Sequence, residues 1–137
     1  MLFETKLAIV LDAGLAAWQE ANVTAFLASG LAATDPELAG EPYVDGSGNR
    51  YLPMFRQPVM VYAADSGGLR RAYDRAMARG VERLAIFTYD LFATGHDEAN
   101  RAAVAAVPAG ELELAGIGLH AERRIVDKVV DRLRPHP

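Results

Sequence analysis

Leu7-Ala8-Ile9-Val10-Leu11, closed by Asp12-Ala13-Gly14, decides how the rest of this 137-residue sequence is read. Five consecutive aliphatic residues without polar alternation describe a strand covered on both faces, which needs helices above and below its sheet. Val59-Met60-Val61-Tyr62-Ala63 and Leu84-Ala85-Ile86-Phe87-Thr88-Tyr89 have the same character, and Leu112 to Leu119 predicts a fourth strand. Helical patterns lie between them. Residues 16–33 carry a broad apolar arc of Leu15, Trp18, Val23, Phe26, Leu27 and Leu31. Asp65 or Ser66 caps a second helix, with the stripe Leu69, Ala72, Tyr73, Ala76 and Met77 ended by Gly80. An alanine-rich helix follows from about Asp97 to Ala106, and a closing one from Glu122 to Leu133. Tyr43 to Leu52 reads as a hairpin around Gly46-Ser47-Gly48. The expected fold is one α/β domain over 1–137, three layers deep, with about four strands in a mixed sheet.

Composition narrows the function classes. At 51% apolar and 23% charged the chain has enough hydrophobic material for a core, which excludes disorder. It has no cysteine, so disulfides, thiolate metal sites and cysteine nucleophiles are excluded. Fourteen basic residues against eighteen acidic ones give a net charge of −4, with no general attraction to nucleic acid or anionic lipid. Arg71, Arg75 and Arg79 form one basic stripe and Arg124, Lys128 and Arg132 another. Asp74, Glu82, Asp127 and Asp131 interleave with them, so solvated, salt-bridged faces are expected rather than a nucleic-acid surface. Glu4, Lys6 and Asp12 interrupt the apolar character of Met1 to Leu15, and no stretch approaches the roughly 20 apolar residues of a membrane span. A cytoplasmic protein without a membrane partner is expected, and its spare apolar faces suggest a homodimer.

Several strings resemble known families. Lys6 through Ala33, then Val59-Met60-Val61-Tyr62 with a helix to Gly80 and the strand Leu84 to Thr88, resemble the type 2 peptidyl-tRNA hydrolase fold. So do Gly116-Ile117-Gly118-Leu119 and Ile125-Val126-Asp127-Lys128-Val129-Val130 running into Leu133. Asn22-Val23-Thr24-Ala25-Phe26-Leu27, Tyr51-Leu52-Pro53-Met54 and Thr94-Gly95-His96-Asp97-Glu98-Ala99-Asn100 look like the family called domain of unknown function 2000. The resemblance covers nearly the whole chain and implies a fold, with no activity to carry over. Where the hydrolases open their first helix with a catalytic lysine, this chain has Trp18-Gln19-Glu20, and no lysine occurs between Lys6 and Lys128. Of the hydrolases' aspartate-containing string after the third strand, only Asp90 has a counterpart here. Peptidyl-tRNA hydrolysis is therefore not expected.

The densest polar cluster is Tyr89, Asp90, Thr94, His96, Asp97, Asn100 and Arg101. One helical turn separates His96 from Asn100 and Asp97 from Arg101. His96 suits a general base with Asp97 orienting it, while Asp90, Thr94, Asn100 and Arg101 offer groups for a small polar or anionic ligand. The same residues admit a plainer account: Thr94 or Asp97 caps the helix, Asp97 and Arg101 form a solvated pair, and His96 occupies a loop. Asn22 lies four residues from both Trp18 and Phe26 and shares their direction. As an amide on an apolar face it is expected to be a buried lock, with ligand contact as the alternative. His96, His120 and His136 lack metal-ligand spacing, and neither a metal nor a cofactor is expected. Two functions follow: a binding protein for a small polar or anionic ligand, or a hydrolase acting on an ester- or amide-type bond.

Overall fold

A computed structural model describes residues 3–137, so Met1 and Leu2, which enter the targeting reading, lie outside the described residues. The chain runs through β1 (Thr5–Asp12), α1 (Ala17–Thr34), β2 (Tyr43–Val44), β3 (Arg50–Tyr51), β4 (Val59–Ala64), α2 (Ser66–Ala78), β5 (Leu84–Thr88), α3 (Asp97–Ala105), β6 (Leu114–Glu122), α4 (Arg123–Val129) and β7 (Arg134–Pro135). Five strands form one mixed sheet in the order β5-β6-β1-β4-β7. β1 pairs parallel with β4 and antiparallel with β6, and β5 and β7 pair antiparallel with β6 and β4. The expectation of about four strands misses β7. It is only two residues long and contains Pro135, so nothing in its pattern marks a strand.

Central β1 shows why its aliphatic run was informative. Leu7, Ile9 and Leu11 point into a core with Val23, Leu27 and Leu31 of α1. Ala8 and Val10 point to the other side, into a core with Leu69, Ala72 and Ala76 of α2 and Val126 and Val129 of α4. Alternate residues feed opposite layers, so both sets must be apolar. Among the described residues, no helix is long and apolar enough to cross a membrane.

Two local devices set the distances. Glycines at 116 and 118 of β6 let α1 approach the sheet: a Cβ on Gly116 would lie 2.9 Å from Val23 Cγ1, and one on Gly118 3.1 Å from Leu27 Cβ. The hairpin β2–β3 stands outside the main sheet and is organised by Asp45, whose carboxylate accepts from Ser47 N, Asn49 N and the Tyr51 hydroxyl at 2.9, 3.0 and 2.7 Å. Those bonds hold the Asp45 carboxyl well below its ordinary range. Tyr43, Val44, Leu52 and Met54 remain exposed on this arm.

Candidate functional site

β1, β4 and β5 run in the same direction, so their carboxyl ends share one edge of the sheet, where sites collect in α/β folds. Asp12 ends β1 there. Its Oδ1 accepts from Gly14 N at 2.9 Å and its Oδ2 from the Tyr89 hydroxyl at 2.5 Å. Burial, then the bond to Asp12, pushes the Tyr89 phenol up to about 12. Tyr89 N also donates to the Glu113 carbonyl at 2.9 Å. These ties fix the start of a single 3-10 turn, Tyr89–Ala93, which carries the chain into Thr94, Gly95 and α3.

Between this turn and α1 lies a cavity of about 360 Å3. One wall is aromatic. Phe87 and Phe92 have centroids 5.0 Å apart, Trp18 meets Phe92 edge-on at 5.7 Å, and Phe26 lies 5.6 Å from Phe87. Trp18 is 64% and Phe26 51% exposed, so their apolar surface is open to an occupant. The polar rim consists of Asn22, Thr94, His96, Asp97 and Asn100.

Five of the seven sequence-selected residues therefore line one cavity. Asp90 is exposed on the 3-10 turn and Arg101 on α3, and neither lines it. Asn22 shares the direction of Trp18 and Phe26, yet all three are exposed, so Asn22 is not a buried lock. Val23, Leu27 and Leu31 alone bury against the sheet, and Trp18, Asn22 and Phe26 form a second stripe at the helix edge. The buried polar lock lies elsewhere. Asp35 accepts from Arg83 and from Glu37 N, while Arg83 Nη1 lies 3.3 Å from His120 Nδ1 and His120 Nε2 2.9 Å from Thr5 Oγ1.

The proton arrangement constrains the chemistry. His96 is the N-cap of α3, its Nδ1 accepting from Ala99 N at 3.2 Å. A nitrogen accepting that bond carries no proton, so the ring proton sits on Nε2, which makes Nε2 a donor. Asp97 pairs with Arg101. Thus His96 spends its basic lone pair on the helix and is not oriented by Asp97. The Thr94 hydroxyl lies 3.0 Å from the Leu91 carbonyl and also meets the Asn100 side-chain amide. Its one proton cannot serve two acceptors. With the Asn100 NH2 turned towards Thr94, both bonds form and Asn100 Oδ1 is left as an acceptor.

The sequence reading missed the aromatic wall, because it placed Trp18 and Phe26 in the core. Their i, i+4 spacing with Asn22, on a face separate from Val23, Leu27 and Leu31, was the usable signal.

A sequence model described as "Protein of unknown function (DUF2000)" matches residues 5–137. The structure of a protein of unknown function from Agrobacterium tumefaciens strain C58 superposes with a TM-score of 0.96 at 41% identity, covering 99% of this chain and 100% of that one. No curated protein matches.

Proposed function

The chain belongs to the DUF2000 family, and we propose that it is a binding protein for a small planar polar ligand, held without being turned over. The observation that carries this reading is the cavity itself, where exposed aromatic faces meet side chains with unspent hydrogen-bonding capacity. A flat ring stacks on one of Trp18 and Phe92 and meets the edge of the other, and its polar edge meets the Asn22 amide, the His96 Nε2–H and the Asn100 carboxamide. The volume, about 360 Å3, lies within the roughly 300–1,000 Å3 range of small-molecule sites. Binding is favoured over hydrolysis because the His96 lone pair caps α3. A base at this position would first have to release Ala99 N. We also propose that the chain's order of elements follows that of the type 2 peptidyl-tRNA hydrolases, and purified protein is expected to leave peptidyl-tRNA intact.

Trp18 is the chain's single tryptophan, so tryptophan emission, excited beyond the tyrosine band, reports this site. Titration with benzamide, benzoate and adenine is expected to give a saturable change for at least one of them. Asn100→Ala should weaken that ligand about 5- to 30-fold, the equivalent of one lost hydrogen bond of about 1–2 kcal/mol. No response to any planar compound at millimolar concentration, or conversion of the bound compound, overturns the reading.

A further inference from the structure

Charge is segregated in this fold. Residues 65–79 and 122–134, which hold α2, α4 and their ends, carry nine Arg and Lys against five Asp and Glu. The remaining residues carry five against thirteen. A chain of net charge −4 is thus divided into segments of +4 and −8. α2 and α4 pack into one core on the same side of the sheet, and Arg75 Nη1 donates to the Asp131 carbonyl at 3.1 Å just beyond α4.

Three of the five acids in these segments are engaged, while Glu122 and Asp131 stay exposed, so the face keeps a surplus of four positive charges. Asp65 caps α2 by accepting from Gly68 N at 2.7 Å, Asp74 pairs with Arg70 at 3.4 Å, and Asp127 pairs with Lys6 at 2.6 Å. Among the described residues, Arg71, Arg79, Arg124, Lys128, Arg132 and Arg134 are all exposed and have no carboxylate within ion-pair distance. Arg132 adds an independent observation. It has φ 68, the one non-glycine in the left-handed region among the described residues, just past the end of α4 where glycine is the cheaper choice. The fold tolerates that conformation and keeps an exposed arginine just past α4.

We propose that the α2/α4 face binds the phosphate backbone of a nucleic acid without reading its sequence. Eight of the nine cations are arginines, whose forked donors match phosphate oxygens. No aromatic ring is exposed on α2 or α4 to stack a base, and Met77 is their only large exposed apolar side chain, too little to anchor in lipid.

The test is fluorescence anisotropy of a labelled 20-nucleotide mixed-sequence RNA at about 50 and 200 mM salt. Binding in the micromolar range is expected at low salt. If all six free cations engage, log K falls against log salt with a slope of about −4. Arg71→Glu/Arg132→Glu should weaken binding at least 10-fold and flatten that slope. Arg50→Glu/Arg56→Glu, with the same change in net charge, should alter binding less than twofold. Arg132→Gly should bind more weakly yet melt higher, which separates lost contact from lost folding. The proposal is overturned if wild type does not bind at low salt, if both double variants weaken equally, or if anionic vesicles bind and RNA does not.

Discussion

Gly116→Ala puts the packing of α1 to a numerical test. The added Cβ would lie 2.9 Å from Val23 Cγ1, 3.1 Å from the Val10 carbonyl oxygen and 3.2 Å from Leu11 Cδ2. Leu11 can rotate its terminal methyl aside. Val23 is stiff at χ1, and the Val10 carbonyl belongs to central β1, so the strain is relieved mainly by lifting α1. Overpacking of this kind costs about 1–3 kcal/mol, and the two unyielding neighbours put Gly116 near the upper end. For a chain of this length 1 kcal/mol corresponds to about 3–5 °C, so a cost of about 2–3 kcal/mol should lower the melting temperature by about 6–15 °C. Gly110→Ala is the control, because nothing lies within 4 Å of its Cβ and φ is not left-handed. Circular dichroism melts of the three proteins decide the matter. Trp18 emission should also shift in Gly116→Ala, since α1 carries one wall of the cavity. A Gly116→Ala protein melting within 2 °C of wild type would refute the claim that this glycine sets the helix-to-sheet distance.

The candidate site and its surroundings give three more expectations. Asn22→Ala should change stability by less than about 0.5 kcal/mol, because the residue is exposed, while His96→Ala should cost about 1 kcal/mol through the lost cap of α3; urea titrations read both. Burial, then the Arg83 guanidinium, pushes the His120 imidazole below its ordinary value, against the pull of Asp35. The unfolded chain then takes up that proton more readily, so stability is lost as pH falls below about 6.5, and His120→Gln should flatten this dependence in denaturation at pH 5 and 7. For the homodimer expected from the sequence, the exposed hairpin side chains single out Leu52→Asp as the variant that should weaken association in sedimentation, and a strictly monomeric wild type at micromolar concentration ends that expectation.

Legibility followed the physics of each element. β1 was readable because burial on both faces leaves a continuous aliphatic run, β4 and β5 because their largely half-buried residues are still nearly all apolar, and α2 because its apolar positions form one stripe closed by Gly80, which has φ 68. α1 was placed correctly but its faces were not. A helix that buries one stripe and turns aromatic residues to a cavity has the same apolar count as one buried on a broad arc. The cluster from Thr94 to Asn100 was visible because polar residues between a strand end and a helix start fall together. What His96 does there was not visible, since a cap and a base use the same lone pair and only geometry shows where it points. The network of Asp35, Arg83 and His120 joins residues 48 and 37 positions apart, and no local spacing announces it.

β7 has a consequence out of proportion to its length. Arg134 and Pro135 pair with Ala63 and Tyr62, and His136 N donates to the Val61 carbonyl at 2.9 Å, covering the outer margin of β4. Uncovered, that margin would present a row of vacant amide and carbonyl groups beside exposed Met60, a template on which strands of other molecules add end to side. The tail thus works as a terminator of sheet growth, and Pro135, having no N–H to offer, closes the series where it stands. Removing residues 134–137 should therefore show itself as turbidity and thioflavin-positive assemblies on standing before it shows itself as a lower melting point.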